Sequence, residues 1–128
     1  MSRYSLVLII DDSEMDNFLN KTILETMNYC DKVITYTNPA SALEYLKTAI
    51  QENNSIKIPN LVFLDINMPL MTGFDFLDEF LKLPQELLSG VKFYMISSSE
   101  DPEDVEKTKK YKQIIKYLNK PLDKNELN

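Results

Sequence analysis

At 128 residues, 44% of them hydrophobic and 27% charged, the chain has the size and composition of one soluble globular domain (1–128) with a substantial core. Its formal net charge of -6 opposes a nucleic-acid surface, which needs a basic face. The sequence has no histidine and one cysteine, Cys30, which excludes histidine-based catalysis, histidine-ligated zinc and an intrachain disulfide; a reducing, cytoplasmic location is expected. Its only glycines are Gly73 and Gly90, so a glycine-rich phosphate loop is excluded too.

The first predicted strand, Leu6 to Ile10, is wholly apolar, as in a strand buried on both faces. It is too short to cross a membrane or to form a signal-peptide core, and no membrane association is expected. It ends in Asp11-Asp12. A helix follows whose apolar residues Met15, Phe18, Leu19, Thr22, Ile23 and Met27 recur at three- and four-residue spacing, predicting that this stripe faces the core. Ser13 with its neighbouring acids suits a helix N-terminus, but capping accounts for one acid and not for two directly after a buried strand.

Val33 to Tyr36 reads as a second strand. Asn38-Pro39 opens a second helix with buried Ala42, Leu43, Leu46 and Ile50. A polar surface loop leads to the third strand, Leu61 to Asp65, which is again continuously apolar until it ends in a carboxylate. Pro69 and Gly73 then break the chain. Phe74, Leu77 and Leu81 predict a third helix, running to about Pro84, with a further turn at 85–88. Val91 to Ile96 is a fourth strand, ending in the hydroxyls Ser97, Ser98 and Ser99. Ser98 and Ser99 read as loop residues, with Ser99 near enough to a site at this edge to affect water access. Asp101-Pro102 and the acids around them open a fourth helix. Its thin stripe (Val105, Thr108, Tyr111) predicts loose attachment. Ile114 to Leu118 is a fifth strand ending in Asn119-Lys120-Pro121, and about one turn of a last helix follows Asp123.

Strands alternating with helices predict an α/β fold: a five-stranded parallel sheet of flavodoxin-like order 2-1-3-4-5, helices on both faces, and a short or truncated C-terminal helix. In that order the first and third strands meet at the switch point, where open α/β sheets bind ligands. Asp11, Asp12 and Asp65 therefore converge there, and Ser97 and Lys120 end strands at the same edge.

Asp11-Asp12 after the first strand, Asp65 within Leu64-Asp-Ile-Asn-Met-Pro69, Gly73, Ser97 after the fourth strand and Lys120-Pro121 after the fifth resemble the receiver domains of two-component response regulators, the single-domain chemotaxis regulator among them. The resemblance covers essentially the whole chain. It implies that Asp65 is the phosphoacceptor and that Mg²⁺ is held by Asp11, Asp12, Asp65 and the backbone carbonyl of Asn67. It further implies Ser97 as switch hydroxyl, Tyr117 as switch aromatic, Lys120 as phosphate-binding lysine, and a cis bond before Pro121. The implied partners are a sensor histidine kinase or phosphotransfer protein and a downstream protein target on the fourth helix, fifth strand and fifth helix. The chain departs from the family in having Ser where Thr is commoner at the switch. It also lacks the Gly-Ala pair usual before the fifth strand, and its last helix is curtailed, which puts the output face in question: either the chain is trimmed from something longer or that surface is absent.

The chemistry agrees with this resemblance. Clustered carboxylates repel, and a hard divalent cation relieves that. A carboxylate can accept a phosphoryl group, whose transfer depends mainly on positioning and on stabilising oxygen charge. Three rivals fit less well. A phosphatase of the haloacid-dehalogenase pattern needs a second Asp where Asn67 stands. A pseudo-receiver typically lacks an acid or the lysine. A flavodoxin needs a phosphate loop where this chain has acids. The expectation is thus a phosphoacceptor module rather than an enzyme.

Overall fold

The computed structural model describes residues 2–98 and 101–127. Its elements are β1 (Tyr4–Ile10), α1 (Glu14–Thr26), β2 (Cys30–Tyr36), α2 (Pro39–Gln51), a 3₁₀ turn (Ser55–Lys57), β3 (Leu61–Asp65), α3 (Gly73–Leu81), β4 (Lys92–Ser97), α4 (Pro102–Thr108), β5 (Ile114–Asn119) and α5 (Lys124–Leu127). The five strands form one sheet in the order β2-β1-β3-β4-β5, and every pairing is parallel. This is the predicted flavodoxin-like arrangement. Ser99 lies outside the described residues.

Strand alternation divides the apolar residues between two cores. Leu8, Ile10, Val62, Leu64, Phe93 and Met95 face α2 and α3, meeting Leu43, Leu46, Phe74, Leu77 and Phe80. Val7, Ile9, Leu61, Phe63, Tyr94 and Ile96 face the other way, against Leu24 of α1 and Leu127 of α5. Each central strand is covered on both faces, which is why its sequence is a continuous apolar run rather than an alternating one. The helices start where their caps direct. Ser13, Asn38 and Asp101 accept from backbone N–H groups of their first turns, and Thr72 and Asp75 form a reciprocal capping box.

The structure corrects the reading of α1. Its buried residues are Asn17, Asn20 and Leu24, while Met15 and Phe18 are 67% and 66% exposed. The helical period was right, and Ile23 and Met27 of the predicted stripe do pack against the core, but Met15, Phe18, Leu19 and Thr22 do not. Asn17 is turned inward because its Nδ2 donates to the carbonyl oxygens of Asp11 (3.0 Å) and Tyr36 (3.2 Å), tying the ends of β1 and β2 to the helix. A polar residue with two backbone partners thus holds the core-facing position in the first half of the helix, where Met15, Phe18 and Leu19 are turned outward. In α2, Ala49 is buried and Ile50 only partly. In α3, Phe76 and Phe80 join Phe74 and Leu77 in the core, and the helix ends at Leu81 rather than near Pro84. β2 begins at Cys30, not Val33: as an edge strand it tolerates the exposed Asp31 and Lys32.

Candidate functional site

The carboxyl edge of the sheet brings three acids together. Asp11 follows β1 and continues its ladder, its N–H donating to the Tyr36 carbonyl at 3.1 Å. Its side chain is fully buried, and Oδ1 accepts from the Ser13 N–H at 3.0 Å. Asp12 stands exposed beside it. Asp65, the last residue of β3, is 3% exposed and accepts from the Asn67 N–H at 3.2 Å. One carboxylate oxygen from each of the three acids lies within 4.8 Å of the others.

Gly73 lets the chain fold tightly under this cluster. Its N–H donates to the Ile66 carbonyl at 2.9 Å. A Cβ there would stand 2.7 Å from the Asp65 carbonyl oxygen and 3.1 Å from the Ile66 Cα, so any side chain would push on the backbone that carries Asp65.

Lys120 reaches the acids from the far side. Its backbone N–H donates to the Ser97 carbonyl at 2.8 Å, joining the ends of β5 and β4, and the Lys120–Pro121 bond is cis, as the resemblance implied. Nζ lies 2.7 Å from Asp11 Oδ2, 3.0 Å from Asp16 Oδ2 and 3.5 Å from Asp65 Oδ2. Burial alone would lower the ammonium's pKa, but hydrogen bonds to Asp11 and Asp16 and the charges of Asp65 and Asp11 outweigh it and hold Lys120 above the ordinary lysine value. The balance at Asp65 runs the other way. Burial, then the charge of Asp11, push its carboxyl up to about 7 against the lowering effects of Lys120 and the Asn67 N–H.

Ser97, fully buried, ends β4 opposite Asn119 of β5. Tyr117 sits opposite Met95 and packs half-buried on the core beneath α2 and α3. Asn67 is exposed, with its N–H turned to Asp65. Asp11, Asp12, Asp65 and Lys120 thus form one cluster, and the strand ends carry Ser97 to the same edge. Sequence reasoning missed Asp16, which reads as an ordinary first-turn acid of α1; the available signal was its spacing of four from Asp12. It also missed an apolar surface beside the site. Met15, Phe18 and Leu19 are exposed on α1, and Leu70, in the loop after β3, is 94% exposed.

The response regulator receiver domain profile matches residues 7–128. The chain belongs to the response regulator receiver family. A solved two-component response regulator from Cytophaga hutchinsonii is 30% identical, with a TM-score of 0.87, covering 98% of this chain and 92% of that one. Response regulator Rcp1 from Synechocystis is 27% identical over 100 residues, 78% of this chain and 66% of that protein. The Mn²⁺-bound form of Rcp1 is a solved structure with a TM-score of 0.74 and 25% identity, covering 96% of this chain and 86% of that one. A protein-glutamate methylesterase/protein-glutamine glutaminase from Burkholderia thailandensis is 35% identical over 83 residues, 63% of this chain but 21% of that protein. The chain therefore spans two thirds or less of the length of these two sequence relatives. This receiver is a module of two-component signalling, consistent with phosphorylation-based control, and its class is generally non-enzymatic. Among its described residues no helix is long and apolar enough to cross a membrane.

Proposed function

We propose that Asp65 accepts a phosphoryl group from a phosphohistidine on a partner kinase or phosphotransfer protein. The phosphorus–nitrogen bond of the donor breaks and a phosphorus–oxygen bond to the Asp65 carboxylate forms. The observation that carries this reading is Asp65 itself: a nearly buried carboxylate at a strand end, with two further acids and the Lys120 ammonium grouped on it. These 128 residues contain no histidine, so the donor histidine lies outside them.

The acids fit a hard divalent cation. Their oxygens are close enough to share one ion, and burial and mutual repulsion already destabilise the charge on Asp65. Asp11, Asp12, Asp65 and the Asn67 carbonyl would hold Mg²⁺; a related receiver, Rcp1, takes Mn²⁺. Bound Mg²⁺ would neutralise charge on the phosphoryl oxygens. Lys120 stabilises the same oxygens from the opposite side, and Ser97 supplies a hydroxyl donor to them. Ser97 moving toward the phosphoryl group would free space for Tyr117 to turn inward, altering the α4–β5–α5 face that a downstream protein reads. The exposed α1 stripe gives a donor protein an apolar surface beside the acids. The domain is proposed to act in the cytoplasm, as a phosphoacceptor and not an enzyme, with no nucleic-acid or membrane ligand of its own.

The test is intact-mass measurement after incubation with phosphoramidate and Mg²⁺. The parent is expected to gain one phosphoryl group and Asp65→Asn none; an unmodified parent would contradict the reading. Phe18→Glu is expected to slow transfer from a phosphohistidine protein while leaving the phosphoramidate reaction unchanged. Equal rates from the protein donor would remove α1 from the docking surface.

A further inference from the structure

Three carboxylates compete for the Lys120 ammonium, and one of them belongs to none of the strand ends. Asp16 is in the first turn of α1, where its own N–H is bound to the Ser13 side chain at 3.1 Å, so its backbone is fixed. Its Oδ2 accepts from Lys120 Nζ at 3.0 Å, closer than Asp65 at 3.5 Å. The Lys120 side chain is 15% exposed and that of Asp16 36%. The pair is therefore sheltered more than a surface ion pair, yet Asp16 retains enough contact with water to lose its partner without stranding a buried charge.

We propose that Asp16 is a positioning residue that clamps Lys120 in the resting state. It draws the ammonium toward α1 and away from the phosphoacceptor, then releases it when a phosphoryl group arrives on Asp65. This inference rests on the phosphoacceptor reading and extends it. An ammonium has three donors and a compact charge, so it follows the strongest local concentration of negative charge. At rest, Asp11 and Asp16 outcompete Asp65. A phosphoryl group on Asp65 replaces the single carboxylate charge with close to two negative charges and adds three acceptor oxygens, which reverses the order. The cost of leaving Asp16 is charged against phosphorylation, so the clamp sets how readily the modified state forms and how long it lasts. It also ties the first turn of α1 to the state of Asp65, since Asp16 gives up its hydrogen bond to the Lys120 ammonium when Lys120 departs.

The test uses Asp16→Asn, which removes the charge but keeps the side-chain size. Glu14→Gln, an exposed acid in the same turn, controls for the general loss of one negative charge. Two readouts are needed. The first is the ¹⁵N NMR signal of the Lys120 Nζ in the unmodified protein. The second is the affinity for fluoroberyllate with Mg²⁺, a mimic of the phosphoryl group. Asp16→Asn is expected to shift the Lys120 signal and tighten fluoroberyllate binding by about threefold to tenfold, which corresponds to roughly 0.7–1.4 kcal/mol. Glu14→Gln should change neither by a comparable amount. Equal effects of the two variants, or an unmoved Lys120 signal in Asp16→Asn, would overturn the clamp while leaving the phosphoacceptor reading intact. A parent that binds no fluoroberyllate would remove the phosphoacceptor reading and the clamp with it.

Discussion

The Nζ of Lys120 lies 3.5 Å from Oδ2 of Asp65, although the two residues end strands that are not neighbours: β4 runs between β3 and β5. Lys120 spans β4 by binding its own N–H to the Ser97 carbonyl, which fixes where its side chain starts. One half-buried cation thus serves the acids of two other strands. Asp65, despite this neighbour, is still pushed up to about 7, because burial and Asp11 outweigh the lysine. The resting site carries more negative charge than its own groups neutralise.

That imbalance makes stability depend on pH. An unfolded Asp loses its proton near pH 4, whereas native Asp65 keeps it to about 7. Between those values the native state binds more protons than the unfolded state, so stability falls as pH rises through the window. The slope is at most about 1.4 kcal/mol per pH unit for one group, and the full penalty is present above about 7. In EDTA, Asp65→Asn should melt near the parent at pH 4 and above it at pH 8. Mg²⁺, which binds the native cluster and not the unfolded chain, should raise the parent's Tm at pH 8, and Asp12→Ala should abolish that rise. A gap between Asp65→Asn and parent that does not change with pH would refute the charge argument. An undiminished Mg²⁺ response in Asp12→Ala would place the metal elsewhere.

Gly73→Ala tests the close approach beneath Asp65. The added Cβ meets backbone, at 2.7 Å and 3.1 Å, and the Met95 Cε at 3.0 Å; only the methionine can move aside cheaply. Overpacking of this kind costs on the order of 1–3 kcal/mol. For a chain of this size, a fall in Tm of roughly 5–10 °C is expected in thermal unfolding. Gly90→Ala, where a Cβ meets nothing within 4 Å, should change Tm little. Equal effects of the two substitutions would contradict the steric account.

Ser97→Ala tests the readout. The variant should still take a phosphoryl group on Asp65, because the acids and Lys120 are intact. In NMR spectra of the phosphorylated protein, the parent should show shifts concentrated at 97–118. The basis is that α4 has only seven residues, one of them (Thr108) buried, and so moves at low cost. Ser97→Ala should lose most of those shifts. Retention of the full set, or parental shifts lying mainly on α1, would contradict the switch.

The sheet was legible in the sequence because its central strands are short apolar runs that end abruptly in Asp11, Asp65 and Ser97. The end of such a run marks both the strand boundary and the site. Lys120 was legible for the same reason, standing between β5 and a proline. The inward face of the first half of α1 was not, because period alone does not say which of two stripes faces inward; only Ile23 and Met27 of the predicted stripe pack on the core. Asn17 takes the inner position through two backbone hydrogen bonds whose acceptors lie in β1 and β2, information that exists only once the strands are assembled. Asp16 was hidden for a related reason. Its partner is 104 positions away, and an acid in a first helical turn already has a sufficient local explanation.

The central claim, that Asp65 carries the phosphoryl group, is tested most directly by trapping the acyl phosphate. After phosphoramidate and Mg²⁺, borohydride reduces an aspartyl phosphate to homoserine at the modified position, which peptide mass spectrometry locates. The expected result is conversion at position 65 alone, absent without Mg²⁺. Conversion at position 11 or 12, or a phosphoryl group that survives on a serine or threonine, would contradict the account.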